Sequence, residues 1–168
     1  MSHLTANADN ALSRRDYHAA AALYLKALER PSIRPYLRAA LLTNLGLAWQ
    51  YLDEVEKATA CFEDAVAANP RLASARTGLG AMYARRARHA EALEHYDQAL
   101  LLDATSATAH ANRALSLEAL GQLEEAWKES EWRYAIPTAT TFSPYRYTRP
   151  KWKGEPLQGR TLLVHREQ

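Results

Sequence analysis

Residues 39–72 read AALLTNLGLAWQYLDEVEKATACFEDAVAANPRL, and this stretch decides the fold because the chain repeats it. Its first half carries Leu42-x-x-Leu45-Gly46-x-x-Trp49. The pattern returns as Arg76-x-x-Leu79-Gly80-x-x-Tyr83, and again, at the same offset, as the weaker His110-x-x-Arg113-Ala114-x-x-Leu117. The second half repeats too: Ala58-x-x-x-Phe62-x-x-Ala65 matches Ala92-x-x-x-Tyr96-x-x-Ala99, and Asn69-Pro70 closes the first of these units. An earlier copy, Ala20-x-x-x-Tyr24-x-x-Ala27, stands further ahead of its partner than this offset allows. About four extra residues are therefore expected in the Arg30–Arg38 connection, which carries Pro31 and Pro35.

A fixed offset of roughly 34 residues marks a stacked-repeat architecture. These residues resemble the tetratricopeptide repeat, a helix-turn-helix unit. The resemblance divides the chain into units of about 1–34, 39–72, 73–106 and 107–136. It implies an all-α fold, a right-handed superhelical solenoid of about four units with an irregular C-terminal tail. Small residues at Gly46, Gly80 and Ala114 let paired helices approach closely, while Trp49, Tyr83, Phe62 and Tyr96 fill the space between pairs. The last unit departs from the pattern, with Ser130 at the usual aromatic position. Gly121 falls at its turn, where a left-handed backbone is cheap for glycine.

Composition agrees with helix. Of 168 residues, 33 are alanine, the last being Ala139. Alanine is the best helix former, and the β-branched residues that favour strands are scarce. The single cysteine, Cys61, excludes an internal disulfide framework and a multi-cysteine zinc site. No apolar run is long enough to span a membrane, and the first residues lack the apolar core of a secretory signal, so the expected setting is cytoplasmic. The net charge of +2 is too small to suggest nucleic-acid binding, but it is unevenly placed. Residues 1–136 carry 15 Lys/Arg and 17 Asp/Glu, whereas residues 137–168 carry 6 and 2.

The resemblance implies a concave groove lined by the first helix of each unit. Carried over position by position, its wall includes Thr43, Asn44, Leu47, Gln50 and Tyr51, then Thr77 and Arg85, then Thr108, Asn112 and Leu115. Such a groove takes a protein or peptide partner and needs no cofactor. Asn44 and Asn112 occupy one position two units apart, with Gly78 between them. An asparagine amide both donates and accepts, so a row of them holds an extended backbone without reading its sequence. The O-GlcNAc transferase repeat array is similar in this respect; the alternative is that each asparagine satisfies a neighbouring loop or helix. Family members that clamp a C-terminal carboxylate use groove cations where this chain has Thr43, Ser74 and Thr77, which argues against that mode. Arg76 and Arg85 make the middle groove basic, or else belong to a solvated basic surface with Arg86 and Arg88.

No catalytic constellation stands out. His89 and His95 are not at one-face helical spacing, whereas Glu91 and His95 can pair along a helix. Cys61 beside Phe62 reads as a small core residue. The chain by itself is therefore not expected to be an enzyme.

Beyond Ala139 the pattern changes. Pro137, Pro144, Pro150 and Pro156 preclude a long helix. Trp127, Trp132 and Tyr134 are expected to cover the end of the last helix pair, and residues 160–164 (RTLLV) read as a strand that needs a sheet. The tail resembles the junction of bacterial tetratricopeptide proteins that continue into a glycosyltransferase-like domain. The matching residues are Glu131-Trp132-Arg133-Tyr134, Pro150-x-Trp152-x-Gly154, Leu157-x-Gly159-Arg160 and Glu167-Gln168. It implies that residues 137–168 are a basic linker and the first strand of a second domain, to which the array presents acceptor protein. A small cap, or self-association through the tail, is the alternative.

Overall fold

The computed structural model describes residues 2–30, 32–130 and 132. Among them the chain forms eight helices and no strand: α1 (Ser2–Ser13), α2 (Tyr17–Leu28), α3 (Pro35–Tyr51), α4 (Val55–Ala68), α5 (Ala73–Arg85), α6 (His89–Leu102), α7 (Ala107–Ala119) and α8 (Leu123–Ser130). They pack as four antiparallel pairs. Each odd-numbered helix also touches the next odd-numbered one, from α1 through α7. The odd helices thus form one wall of an all-α solenoid and the even helices the other.

The turn inside each pair has one geometry. Arg15, Asp53, Ala87 and Gly121 all adopt a left-handed backbone, with φ between 58° and 77°. Only the last is glycine, so only that turn was legible as left-handed in the sequence. A non-glycine residue is disfavoured there by about 1–2 kcal/mol. Ala87→Gly is therefore expected to raise stability by about 0.5–1 kcal/mol, after allowing for the greater freedom of glycine in the unfolded chain. A lower urea midpoint than the parent's would contradict this.

The extra residues ahead of the second unit turn out to be helical. α3 has 17 residues where α5 and α7 have 13 each. The added turn begins at Pro35, in the first turn of the helix, where the missing N–H costs no hydrogen bond. Between units the chain turns on capping side chains. Asn69 Oδ1 accepts from Arg71 N at 3.2 Å, and Asp103, at the equivalent position, accepts from Thr105 N and Oγ1 at 3.0 and 2.8 Å. Asp103 therefore makes the turn that Asn69-Pro70 makes one unit earlier, without the proline.

The core is a line of rings set against glycines. Phe62 and Tyr96 are fully buried. A Cβ at Gly46 would lie 2.8 Å from the Phe62 ring, and one at Gly80 2.6 Å from the Tyr96 ring. Gly78, in the following unit, approaches Phe62 more closely still. Phe62 thus binds its own pair and the next helix at once. Trp49 is half-buried and packs against the clusters on both sides of α3.

The chain divides into two units, Met1–Ile136 and Pro137–Gln168. The readings placed on the second, including the strand at 160–164 and the domain junction, lie outside the described residues, as does Tyr134. Of the two tryptophans expected to cover the last pair, Trp132 stacks on His110 with ring centroids 4.2 Å apart. Trp127 does not cover it: its position on α8 turns it outward, and it is 79% exposed.

Candidate functional site

The wall expected to line a groove is the row of α1, α3, α5 and α7, and the positions carried over from the repeat pattern divide into three groups. Thr43 and Thr77 are buried, and their hydroxyls donate to their own helices, to Ala39 O at 2.8 Å and Ala73 O at 3.1 Å. Neither hydroxyl is offered to a ligand. Tyr51 is exposed but stacks on Tyr17, with centroids 4.5 Å apart. Leu47 and Gln50 are half-buried, and the Gln50 carbonyl accepts from Arg85 Nη1 at 3.4 Å.

The two asparagines differ. Asn44 donates to Asp9 Oδ1 at 3.2 Å, and the same oxygen accepts from the Tyr24 hydroxyl at 2.5 Å. This network joins α1, α2 and α3. Burial, together with the Asp9 carboxylate, pushes the Tyr24 phenol well above the usual range, so it remains a donor. Asn112 is half-buried and makes no side-chain hydrogen bond among the described residues. Beside it on α7, Thr108 is exposed and Leu115 is 64% exposed. The open polar and apolar surface of the wall therefore lies toward α7.

The arginines expected to make the middle groove basic are taken. Arg85 pairs with Asp53, and Arg76 donates to Gln98 and, through Nε, to Pro70 O at 2.9 Å. Arg86 reaches Glu56 at 3.5 Å, and Arg113 bridges Asp97 at 2.7 Å and Glu129 at 3.2 Å. Glu91 binds Arg88, with Nε to Oε1 at 2.9 Å, rather than His95. His95 lies against the Tyr83 ring with its Nδ1 buried and unpartnered; burial first, then Arg76, holds it below the usual imidazole range, which keeps it neutral. Burial likewise pushes the Cys61 thiol up to about 11, far from the thiolate that nucleophilic chemistry needs. No group of three or more metal-ligating side chains occurs among the described residues.

Sequence reasoning missed Asp9 and Asp53. Asp9 reaches Asn44 and Asp53 reaches Arg85 across one helix pair to the next, at separations that no position within a single repeat prescribes.

The sequence matches no family model and no curated protein. Solved structures do match. The chain is similar to MamA, with 22% identity over 79% of this chain and 75% of that one, at a TM-score of 0.65. YrrB, described as a tetratricopeptide protein with an unusual peptide-binding site, matches at 21% identity over 77% of this chain and 65% of that one, with a TM-score of 0.62. The second tetratricopeptide domain of Spaghetti (RPAP3), bound to the HSP90 peptide SRMEEVD, shares 25% identity over 59% of this chain and 92% of its own, at 0.55. The fold is a tetratricopeptide-repeat solenoid. Of the positions expected to line the inner wall, Asn112 is half-buried without a side-chain hydrogen bond among the described residues, and Thr108 and Leu115 are exposed.

Proposed function

We propose that this tetratricopeptide array is a protein-interaction scaffold that holds an extended peptide along its inner wall, at the α7 end. The carrying observation is Asn112, whose amide is half-buried, unengaged and flanked by exposed Leu115 and Thr108. An amide so placed offers one donor and one acceptor to a peptide backbone, and the leucine offers apolar area. The paired state of Arg76 and Arg85 favours a ligand chosen by backbone and apolar contacts over one chosen by acidic side chains. Peptide-bound neighbours of the same fold support the reading. No helix among the described residues is long and apolar enough to cross a membrane, and a cytoplasmic setting, in keeping with one free, half-buried thiol, is part of the proposal.

The test is a peptide array followed by titration of the strongest binder. Asn112→Ala should weaken that peptide about 5- to 10-fold, the equivalent of one hydrogen bond. Asn44→Ala should change affinity less, because Asp9 already takes its donor. Equal losses at the two positions, or none at Asn112, would count against the proposal.

A further inference from the structure

The connection from α2 to α3 departs from the repeat. α3 has 17 residues where α5 and α7 have 13 each, so its N-terminal end overhangs by one turn, roughly 6 Å. Arg30, Arg34 and Arg38 stand on this connection and its overhang, and all three are exposed. Arg34, Arg38 and Leu41 follow the i, i+4, i+7 spacing of one helix face, and Arg30 borders a crevice with Leu41, Ala27 and Leu4. The three arginines therefore gather at one corner of the array. Tyr36 is 58% exposed beside them, with the Arg34 guanidinium 5.8 Å from its ring centre.

None of the three has an ion pair among the described residues. Further along the array the cations are taken: Lys57, Arg85, Arg86, Arg88 and Arg113 each pair with a carboxylate. The arginines also sit against the preference of their own helix. Arg34 is the N-cap of α3 and makes no capping bond, and the first turn holds no acidic residue. The helix macrodipole disfavours cations there and favours an anion. Residues that break a local rule with no gain to the fold mark functional sites.

Charge names the occupant. Residues 1–38 carry six Lys/Arg and three Asp/Glu, whereas residues 39–136 carry nine and fourteen. The basic surface is thus local, and the acidic remainder disfavours approach to an anionic membrane. Residues 137–168, with six Lys/Arg and two Asp/Glu, carry the same sign as the patch and do not complement it. We propose that Arg30, Arg34 and Arg38 form a docking surface for an acidic segment of a partner protein. The guanidinium forks hold its carboxylates, and the Tyr36 ring keeps Arg34 in place. The surface shares no residue with the Asn112 groove and selects by charge rather than by backbone and apolar contacts.

The probe is a fluorophore-labelled, glutamate-rich peptide titrated with the full chain by anisotropy, and its glutamine counterpart is the control. The glutamate peptide should bind saturably and weaken as salt is raised, and the glutamine peptide should not bind. Arg34→Ala with Arg38→Ala should weaken binding at least about 10-fold, the worth of one hydrogen bond between charged groups. The thermal midpoint of that double variant should hold or rise, because two cations leave a helix N-terminus. Lysine at both positions should restore only part of the affinity, since it keeps the charge and loses the fork. Arg14 and Arg15, exposed and without an ion pair among the described residues, lie at the other end of α1. Replacing both with alanine removes the same charge and should leave binding unchanged. Equal losses in the two alanine pairs would mean a response to net charge alone, and would overturn the proposal. Binding kept in the Arg34 and Arg38 double variant would put the peptide elsewhere, such as on residues 137–168, and would overturn it too. If that variant fails to fold, Arg30→Ala decides, and unaltered affinity there sinks the idea. Tighter capture by phosphatidylserine vesicles than by the peptide, lost in the same variant, would make the occupant a membrane. Concentration-dependent self-association lost in it would make the occupant a second copy. Either result would overturn the proposal.

Discussion

Replacing Phe62 with alanine is expected to destabilise the array by about 3–5 kcal/mol, the range for removing a buried aromatic ring from a packed core. The upper part of that range applies here for a geometric reason. The ring is fully buried, and it lies against Gly46 of its own pair and Gly78 of the next. Neither glycine has a side chain that can swing into the vacated space, so the cavity stays open. The loss is also placed where it acts on cooperativity. A repeat array is stabilised by its interfaces between neighbours, and Phe62 spans one of them. Urea unfolding followed by far-ultraviolet circular dichroism should therefore show both a lower midpoint and a broader transition, as the units on either side of Phe62 come apart separately. A loss below about 1 kcal/mol with an unchanged slope would mean that the ring is not the peg between units. The converse substitution, Gly78→Ala, pushes a methyl into the same ring and should be destabilising as an overpacked site is.

The reach of the repeat pattern is visible in these same residues. The constant offset between units located Phe62, Tyr96, Gly46 and Gly80, because tight helix pairing restricts residue type at fixed positions. Gly78 was legible only as a gap between Asn44 and Asn112. Its packing role depends on a ring in the previous unit, which a pattern within one unit does not encode. The left-handed turns at Arg15, Asp53 and Ala87 were silent for a different reason. Those residues are exposed, and the turn is closed by backbone bonds around them, from Asp16, Glu54 and Arg88 N to Ala11, Trp49 and Tyr83 O, so their side chains do not announce the backbone they adopt. The proline-bearing connection before the second unit looked like a loop, yet Pro35 opens an added helical turn.

The groove was read less completely than the fold. Position within the repeat selected the wall residues, but what each side chain does there depends on partners from other units. Thr43 and Thr77 sit at wall positions and turn their hydroxyls onto their own helices. Arg85 is a cation by sequence and half of an ion pair by structure. Long polar side chains find such partners wherever the superhelix brings them within reach, and that reach is set by the stacking of units rather than by sequence separation.

The sharpest case is Asp9, and its replacement by alanine is expected to cost about 1–3 kcal/mol, the cost of leaving a buried polar group without its partner. Two donors depend on one carboxylate oxygen: the Tyr24 hydroxyl at 2.5 Å and the Asn44 amide at 3.2 Å. Tyr24 itself is fully buried, so its hydroxyl has little alternative once Asp9 is gone. Tyr24→Phe in the same background should recover part of the loss, because it removes the orphaned donor along with its acceptor. A double-mutant cycle over Asp9 and Tyr24 therefore measures the bond directly, and additive effects would show that the contact contributes nothing. The same substitution also distinguishes scaffold from ligand contact. Asp9→Ala releases the Asn44 amide toward the groove, so peptide binding should persist while thermal stability falls. Asn112→Ala should do the reverse, weakening the peptide with the melting temperature unchanged. If both variants moved stability and affinity together, the two asparagines would share one role and the groove would have to be sought elsewhere on the array.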